Sequence, residues 1–286
     1  MEKILITGAN GFVGTNLRKH LEGRGIRCLK LDLADADYGW NELEKIPWGE
    51  IGAVVHLAGK AHDLKKVASE QSYFDINVGL TERIFAASGE GRVKFIYFSS
   101  SKASAMGNAY GRSKLAAEQY LDGRAVVLRP AMIHGPGNKG NLNLLWGIAR
   151  RGFPWPLAAF ENTRSFTSIG NICAAVEAIV RQGVPNGVYE IADDEGLSTN
   201  RLIEIMAEVC GRKTRLWRLP KGLMRAVAKV GDVLHLPLNT ERLGKLTENS
   251  FVDNAKLKAA IGWEKMPIRA EEGMRETLEG FGGRKK

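Results

Sequence analysis

Short apolar runs alternate with amphipathic segments along the first half of the chain. After the first run, Leu17 and Leu21 lie on one side of a predicted helix, and a second helix is expected over about residues 70–88. The runs are "KILIT" (3–7), "IRCLKLDL" (26–33), "AVVHLAG" (53–59) and "VKFIYF" (93–98). Strands that alternate with helices predict a parallel sheet covered on both faces, with ligands at the carboxyl ends of the strands.

The pattern becomes less regular from about Arg129. Helices are predicted over 142–151, over 170–182 and directly after Ser198, which is expected to be an N-cap. A later stretch, "KGLMRAVAKVGDVLHL" (221–236), is basic and amphipathic. It is interpreted as a helix that buries one face on its own lobe, with attachment to a membrane surface as the alternative.

These patterns predict a Rossmann-like, doubly wound α/β fold with two parts. We expect a dinucleotide-binding domain over residues 1–135, to which part of 165–195 returns, and a smaller, mostly helical substrate-binding lobe over 136–286. The substrate is expected in the cleft between them.

Composition is that of a soluble globular protein of 286 residues, with 44% hydrophobic and 26% charged residues. There is no apolar run of membrane-spanning length, and the first strand begins directly, without a signal peptide. Cys28, Cys173 and Cys210 are scattered, so reduced thiols and a cytoplasmic location are expected. Neither the cysteines nor the five histidines have metal-ligand spacing, so no metal site is predicted.

The chain carries a net charge of +9. Three of these charges stand in the final "GGRKK", and the remaining excess is interpreted as spread along the chain. This distribution argues against a nucleic-acid partner and suits a small anionic substrate such as a nucleotide diphosphate.

Three glycines separate the first strand from the first helix. Gly8, Gly11 and Gly14 form a G-x-x-G-x-x-G turn. Such a turn places backbone N–H groups and the positive end of a helix against a pyrophosphate, and a side chain on the middle glycine would hold the phosphate away. The context of strand, glycine turn and helix therefore predicts a dinucleotide site.

Residues at the ends of the next strands also point to a dinucleotide. Asp32 lies close to the end of the second run, where a carboxylate accepts hydrogen bonds from a ribose 2′-OH and repels a 2′-phosphate. This favours NAD over NADP; the alternative is a polar residue that caps the next turn. Ala58 and Gly59 leave room for a cofactor along the sheet edge.

The stretch "AYGRSK" (109–114) carries the candidate chemistry. In a helix, Tyr110 and Lys114 lie on one face, and a neighbouring ammonium favours the phenolate. The pair then serves as an acid and base near neutral pH; the alternative is an ordinary surface pair. Ser99, Ser100 and Ser101 end the preceding strand at the same sheet edge.

Taken together, "TGANGFVG", "HLAG", "NVGLT", "FSSSK" and "YGRSK" appear in the order typical of one family. The chain resembles the extended short-chain dehydrogenase/reductases, in the NAD-dependent epimerase/dehydratase group. The likeness continues through "VVLRPAMIHGPGNKGN", "TRSFTSIGNI" and "SFVDNAKLKAAIGW". It is greatest to bacterial enzymes of surface-polysaccharide nucleotide-sugar synthesis, including 4-epimerases and 4-ketoreductases.

The resemblance implies roles for individual residues. Tyr110 would be the acid/base, Lys114 its activator and a ribose ligand, and Ser100 the hydroxyl on the reacting oxygen, with Ser101 as a rival. Substrate would contact Ser100, Lys102, Asn141 and Arg164, the last on a diphosphate oxygen. NAD would contact Gly8, Asn10, Gly11, Phe12, Val13, Gly14, Asp32, Leu57, Ala58, Gly59, Asn77 and Lys114. Relatives commonly pair through the helices that include the Tyr110 segment, which makes a homodimer plausible.

Three departures from the family pattern stand out. Only nine residues separate Ser100 from Tyr110, fewer than in related enzymes. The stretch from Asp32 to His56 is short, as if a strand–helix unit were trimmed. Ser101 and Lys102 stand where family dehydratases carry an acidic pair, so a dehydratase is disfavoured.

The favoured function is an NAD-dependent epimerase that acts by hydride exchange at C4 of a UDP-(N-acetyl)hexose. The first alternative is an NAD(P)H-dependent 4-ketoreductase of a UDP-4-keto-6-deoxy-N-acetyl sugar. The second is a non-catalytic sensor or scaffold that binds NAD and a nucleotide.

Overall fold

The computed structural model of the chain describes residues 3–61, 69–138, 142–236 and 238–282. It divides into two compact units. The first, here the sheet unit, comprises residues 1–131, 171–191 and 253–265. The second, here the helical unit, comprises residues 132–170, 192–252 and 266–286. The chain therefore passes between the units several times.

Six parallel strands form the centre of the sheet unit, which confirms the predicted α/β class. They are β1 (Lys3–Thr7), β2 (Cys28–Leu31), β3 (Ile51–His56), β4 (Lys94–Phe98), β5 (Val126–Pro130) and β8 (Gly187–Ile191). Their order in the sheet is β2-β1-β3-β4-β5-β8. The direction of winding reverses between β1 and β3, and a ligand crevice forms at the carboxyl ends of strands at such a reversal.

The following helices lie wholly or mainly in the sheet unit. They are α1 (Phe12–Gly23), α2 (Glu70–Phe74), α3 (Leu80–Ala87), α4 (Ala109–Leu121), α6 (Ile169–Gln182) and α10 (Ala255–Ala260). A π-helical turn, Asp75–Gly79, joins α2 to α3. The helix predicted near 70–88 thus contains one wider turn, and buried Asn77 lies in it. Turns of this kind often occur at functional sites.

The connection from β2 to β3 is short, in agreement with the trimmed unit that the sequence suggested. Residues 32–50, all described, contain two 3-10 turns (Leu43–Lys45 and Trp48–Glu50) and no α-helix. Tyr38 forms a single bridge with Leu31. β2 is consequently the edge strand on this side of the sheet.

The core of the sheet unit holds the strands in place. Leu5, Val54 and Phe95 are fully or almost fully buried, and the Phe85 ring meets the Phe95 ring edge-on with centroids 5.1 Å apart. Burying one such side chain stabilises the fold by about 2 kcal/mol. This packing makes the carboxyl ends of the strands a firm support for a site.

The helical unit contains a two-stranded parallel pair, β6 (Met132–His134) and β7 (Phe166–Ser168). Its helices are α5 (Leu142–Arg151), α7 (Thr199–Val209), α8 (Lys221–Leu234), α9 (Thr240–Thr247) and α11 (Ala270–Gly282). The Ser198 side chain accepts a hydrogen bond from Arg201 N, so the predicted N-cap of α7 is confirmed. Within the described ranges, no helix is both long and apolar enough to cross a membrane.

Candidate active site

The glycine turn between β1 and α1 is closed so tightly that side chains are excluded. Gly8 has a φ of +65°, and a Cβ there would lie 2.9 Å from Ala58 N. A Cβ on Gly14 would lie 2.4 Å from the Gly8 carbonyl oxygen. Both positions therefore require glycine, the first for its conformation and the second for the close approach of helix and turn.

The start of α1 suits an anion. Gly11 is the N-cap and offers no side chain, and the first bond of the helix runs from Thr15 N to Gly11 O at 2.9 Å. The N–H groups of Phe12 and Val13 precede that bond and have no partner within the helix. Because these donors stand at the positive end of the helix dipole, the turn fits a pyrophosphate.

Asp32 lies directly after β2 and already supports the turn. Its carboxylate accepts hydrogen bonds from Asn10 N and from Leu33 N, both at 2.8 Å. Asp32 therefore caps the local backbone, which was the alternative to a role in binding the ribose. A carboxylate has about four lone-pair sites, so acceptors remain for a ribose hydroxyl. The role of Asp32 toward NAD stays a prediction.

A buried chain of side chains ends β3. Thr7 Oγ1 lies 2.6 Å from His56 Nδ1, and His56 Nε2 lies 2.9 Å from Thr81 Oγ1. Thr7 Oγ1 also accepts from Ala58 N at 3.1 Å. The strand ends at His56 rather than at Gly59 as predicted, and the Ala58 amide is bonded to the Thr7 side chain instead of to a neighbouring strand. This contact fixes the segment that holds Leu57 and Ala58.

His56 makes the stability of the fold dependent on pH. Burial, and next the charge of Lys114, lower the pKa of the imidazole to about 3. The unfolded chain binds a proton there below about pH 6.5, so stability is lost as the pH falls from that value. Between pH 6 and pH 5, the unfolding free energy of the parent should fall more steeply than that of His56→Gln. The expected difference between the two slopes is about 1.4 kcal/mol per pH unit. The unfolding free energies are measured by denaturant titration at each pH. The same pH dependence in the parent and in His56→Gln would contradict this expectation.

Gly59 stands against two polar side chains that the family resemblance singled out. A Cβ on Gly59 would lie 2.8 Å from Asn77 Oδ1 and 3.1 Å from Lys114 Nζ. Asn77 accepts from Lys60 N at 2.8 Å and donates to Ser113 Oγ at 2.9 Å. Ser113, which the sequence reasoning missed, therefore orients Asn77 from helix α4. The structure brings Gly59, Asn77 and Lys114 together as one cluster.

Lys114 is buried in α4 and points toward the end of β4. Its Nζ donates to the Phe98 carbonyl at 2.7 Å and lies 4.8 Å from the centre of the Tyr97 ring. Burial lowers the pKa of this ammonium to about 8, and the Glu118 carboxylate opposes the shift. Glu118 also accepts from Arg129 Nε at 2.9 Å. Sequence reasoning missed Glu118, although its place four residues after Lys114 was a usable indication.

Tyr110 and Ser100 meet at the site in spite of the short loop between them. Asn108 caps α4 by accepting from Gly111 N at 3.0 Å, which makes Tyr110 the second residue of the helix. Ser100 is buried, and its hydroxyl is near enough to the Tyr110 phenol to lower the pKa of that phenol. A Cβ on Gly111 would lie 2.4 Å from the Lys102 carbonyl oxygen. Glycine at position 111 thus lets the shortened loop pack against the helix.

The protonation of Tyr110 differs from the prediction. Burial raises the pKa of the phenol, and the hydrogen bond from Ser100 only partly opposes this. The predicted lowering of this pKa by the Lys114 ammonium is therefore wrong for these side chains, because Lys114 directs its charge to the Phe98 carbonyl. Spacing within a helix places two groups on one face but does not reveal how deeply each is buried.

The three serines after β4 have different surroundings. Ser99 Oγ donates to the buried Glu118 carboxylate, away from the phenol. Ser101 is exposed, and its backbone N–H donates to the Pro130 carbonyl at 3.1 Å. Lys102 is also exposed. Of the two rivals for the hydroxyl on the reacting oxygen, Ser100 is the one whose hydroxyl affects the pKa of Tyr110.

Two predicted substrate ligands are not placed in this cluster by the described residues. Arg164 belongs to the helical unit, where its Nη1 donates to the Lys245 carbonyl at 2.9 Å and its guanidinium lies 5.9 Å from the centre of the Phe166 ring. Burial lowers its pKa. Asn141 lies outside the described residues. Contact of either residue with substrate remains a prediction.

Comparison with known proteins places these features in context. The model of the "NAD dependent epimerase/dehydratase family" matches residues 4–192. The chain is 28% identical to UDP-glucose 4-epimerase of Vibrio cholerae over 320 residues, which covers 98% of this chain and 95% of that protein. It is 33% identical to a UDP-2-acetamido-2,6-beta-L-arabino-hexul-4-ose reductase of Pseudomonas aeruginosa over 120 residues, covering 42% of this chain and 30% of that one.

A solved structure has the same fold. The UDP-glucose 4-epimerase of Thermotoga maritima, determined with UDP-glucose, superposes with a TM-score of 0.72 at 20% identity. The match covers 98% of both chains. The likeness shows that this chain has the fold of that protein.

Proposed function

Because the chain belongs to the NAD dependent epimerase/dehydratase family, we propose that it exchanges a hydride at C4 of a UDP-(N-acetyl)hexose and so epimerises the sugar. The chain is an enzyme of the extended short-chain dehydrogenase/reductase type. The observation that carries the proposal is that the hydroxyls of Ser100, after β4, and Tyr110, in α4, are neighbours, with Lys114 buried one turn further along the same helix. A binding protein has no need of two coupled hydroxyls at this position.

The residues that would hold NAD fit it. The free N–H groups of Phe12 and Val13 suit its pyrophosphate, and Asp32 suits a ribose 2′-hydroxyl while repelling a 2′-phosphate. Gly59 leaves open the space beside Lys114 that a side chain would fill. Bound NAD would supply the hydride acceptor and, in its oxidised form, a positive charge.

Tyr110 moves the proton in this proposal. Acting as the phenolate, which the positive charge of bound oxidised NAD would favour, Tyr110 takes the proton of the C4 hydroxyl as the carbon loses its hydride. It returns that proton when the hydride comes back to the opposite face of the sugar. Ser100 donates a hydrogen bond to the C4 oxygen and holds it beside the phenol. Since the pKa of Lys114 is about 8, its ammonium stays mostly charged at neutral pH and would donate a hydrogen bond to a ribose hydroxyl of NAD.

A 4-ketoreductase of a UDP-4-keto-6-deoxy-N-acetyl sugar is the second candidate. Its support is the 33% identity to the Pseudomonas aeruginosa reductase, which is confined to 120 residues. This enzyme would use the same Tyr110 and Ser100 for the reduction alone, with the proton going from the phenol to the new C4 hydroxyl. The epimerase is favoured because its likeness extends over 98% of the chain.

A panel of UDP-sugars separates the candidates. The purified protein is incubated with UDP-glucose and UDP-N-acetylglucosamine without added cofactor, and C4 epimers are sought by NMR. We expect interconversion. Turnover only of a UDP-4-keto-6-deoxy sugar, with stoichiometric loss of NADH or NADPH, would instead establish the reductase. A protein that binds NAD but is inactive on both substrate classes would be a sensor or scaffold.

A further inference from the structure

The outward face of α8 is apolar. Met224, Ala228 and Gly231 are the buried positions of this helix. On the other side, Val230, Val233 and Leu234 are 53%, 77% and 61% exposed. We call this surface the outer face of α8; it consists of Leu223, Val227, Val230, Val233 and Leu234. The predicted packing of one face is thus correct, yet the larger side chains point outward, the reverse of an ordinary surface helix.

The helix is firmly seated, so the outer face is a permanent feature of the surface. A Cβ on Gly231 would lie 1.9 Å from the Leu238 carbonyl oxygen, which shows how closely the backbone after α8 packs against it. Asp232 accepts from Thr240 N at 3.0 Å and from the Thr240 hydroxyl, and so ties α8 to the start of α9. Rotating the apolar side chains inward would break these contacts.

Positive charge borders the outer face. Residues 212–236 contain seven Lys and Arg residues and one acid, Asp232, a net charge of +6 within a chain of +9. The interpretation that the excess charge is spread along the chain is therefore wrong. Lys221, Arg225 and Lys229 follow one another at four-residue intervals and are exposed, so they form a stripe along the helix. The single acid is engaged by Thr240.

We propose that α8 docks the protein on an anionic lipid bilayer. An exposed apolar face with a cationic border is what a helix needs to lie in the headgroup region, where the apolar side chains enter the acyl boundary and the cations pair with lipid phosphates. A second copy of the chain is a poorer occupant, because a symmetric contact would oppose two stripes of the same charge. The attachment is peripheral and independent of the reaction at Tyr110.

Vesicle binding by the full chain tests the docking. The protein is sedimented with phosphatidylcholine vesicles that contain or lack phosphatidylglycerol. We expect binding to the anionic vesicles, weakened by salt, and far weaker binding to the neutral ones. Lys221→Gln/Arg225→Gln/Lys229→Gln is expected to weaken binding about a hundredfold, at about fivefold for each charge. Val230→Gln/Val233→Gln is expected to weaken it about tenfold while keeping the charge.

A matched control removes the same charge elsewhere. Lys19→Gln/Arg27→Gln/Arg92→Gln changes three exposed cations of the sheet unit, and we expect it to alter binding by no more than about twofold. The proposal is overturned if the parent binds no vesicles, or if the control weakens binding as much as the α8 variants. It is equally overturned if ultracentrifugation shows a dimer that Val230→Gln/Val233→Gln dissolves.

Discussion

Tyr110→Phe is expected to lower kcat by about a thousandfold or more, with NAD affinity changed little, since general acid–base catalysis contributes about 10²–10⁴. The change keeps the ring in α4 and removes only the oxygen that neighbours the Ser100 hydroxyl. Measurement requires kcat on the UDP-sugar that the panel identifies, and NAD binding by equilibrium dialysis.

Tyr120→Phe is the matched control for this experiment. Tyr120 belongs to the same helix, but its ring packs edge-on against Phe85 in the core of the sheet unit, with centroids 6.2 Å apart. Loss of this hydroxyl should leave kcat within about twofold of the parent, as for most changes away from reacting groups. A Tyr110→Phe enzyme that turns over as fast as the Tyr120→Phe enzyme would remove Tyr110 from the mechanism.

Gly14→Ala is expected to weaken NAD binding about a hundredfold and to lower the unfolding free energy by about 1–3 kcal/mol, the usual cost of overpacking. The added Cβ would lie 2.4 Å from the Gly8 carbonyl oxygen and 2.7 Å from Ala9 Cα. Both are backbone atoms, so α1 must move away from the turn. That movement displaces the N–H groups of Phe12 and Val13. Calorimetric titration with NAD and denaturant unfolding measure the two effects.

Gly23→Ala controls for the general effect of alanine in the same helix. A Cβ on Gly23 would meet nothing within 4 Å, so the change should raise helix stability by up to about 1 kcal/mol through propensity alone. NAD affinity should stay at the parent value. If Gly14→Ala behaved like Gly23→Ala in both measurements, the glycine turn would not be the dinucleotide site.

Local patterns predicted much of the sheet unit. The apolar runs located β1 and β4, and the three glycines located the turn whose closeness the structure shows at Gly8 and Gly14. The strands and the glycine turn are determined by residues close together in the sequence, so the local pattern of apolar and glycine residues predicts them. The four-residue spacing of Tyr110 and Lys114 placed both on one face if the segment is helical, and α4 does contain both residues.

Contacts between distant segments could not be predicted in this way. The chain from Thr7 through His56 to Thr81 joins three separate elements, and no local pattern marks it. Burial reversed the expected direction of the pKa of Tyr110 for the same reason: depth is a property of the packed fold. The basic amphipathic stretch over 221–236 was recognised, but membrane attachment was only the alternative interpretation, because amphipathicity shows two faces without saying which one is covered.

The central claim is that hydride, not proton, moves at the sugar carbon. It is tested most directly by running the reaction in D2O and examining C4 of the product by NMR. Hydride exchange with NAD predicts no solvent deuterium on that carbon, since only the hydroxyl proton passes through Tyr110. Deuterium at C4 would mean that the carbon itself is deprotonated, and would contradict the account.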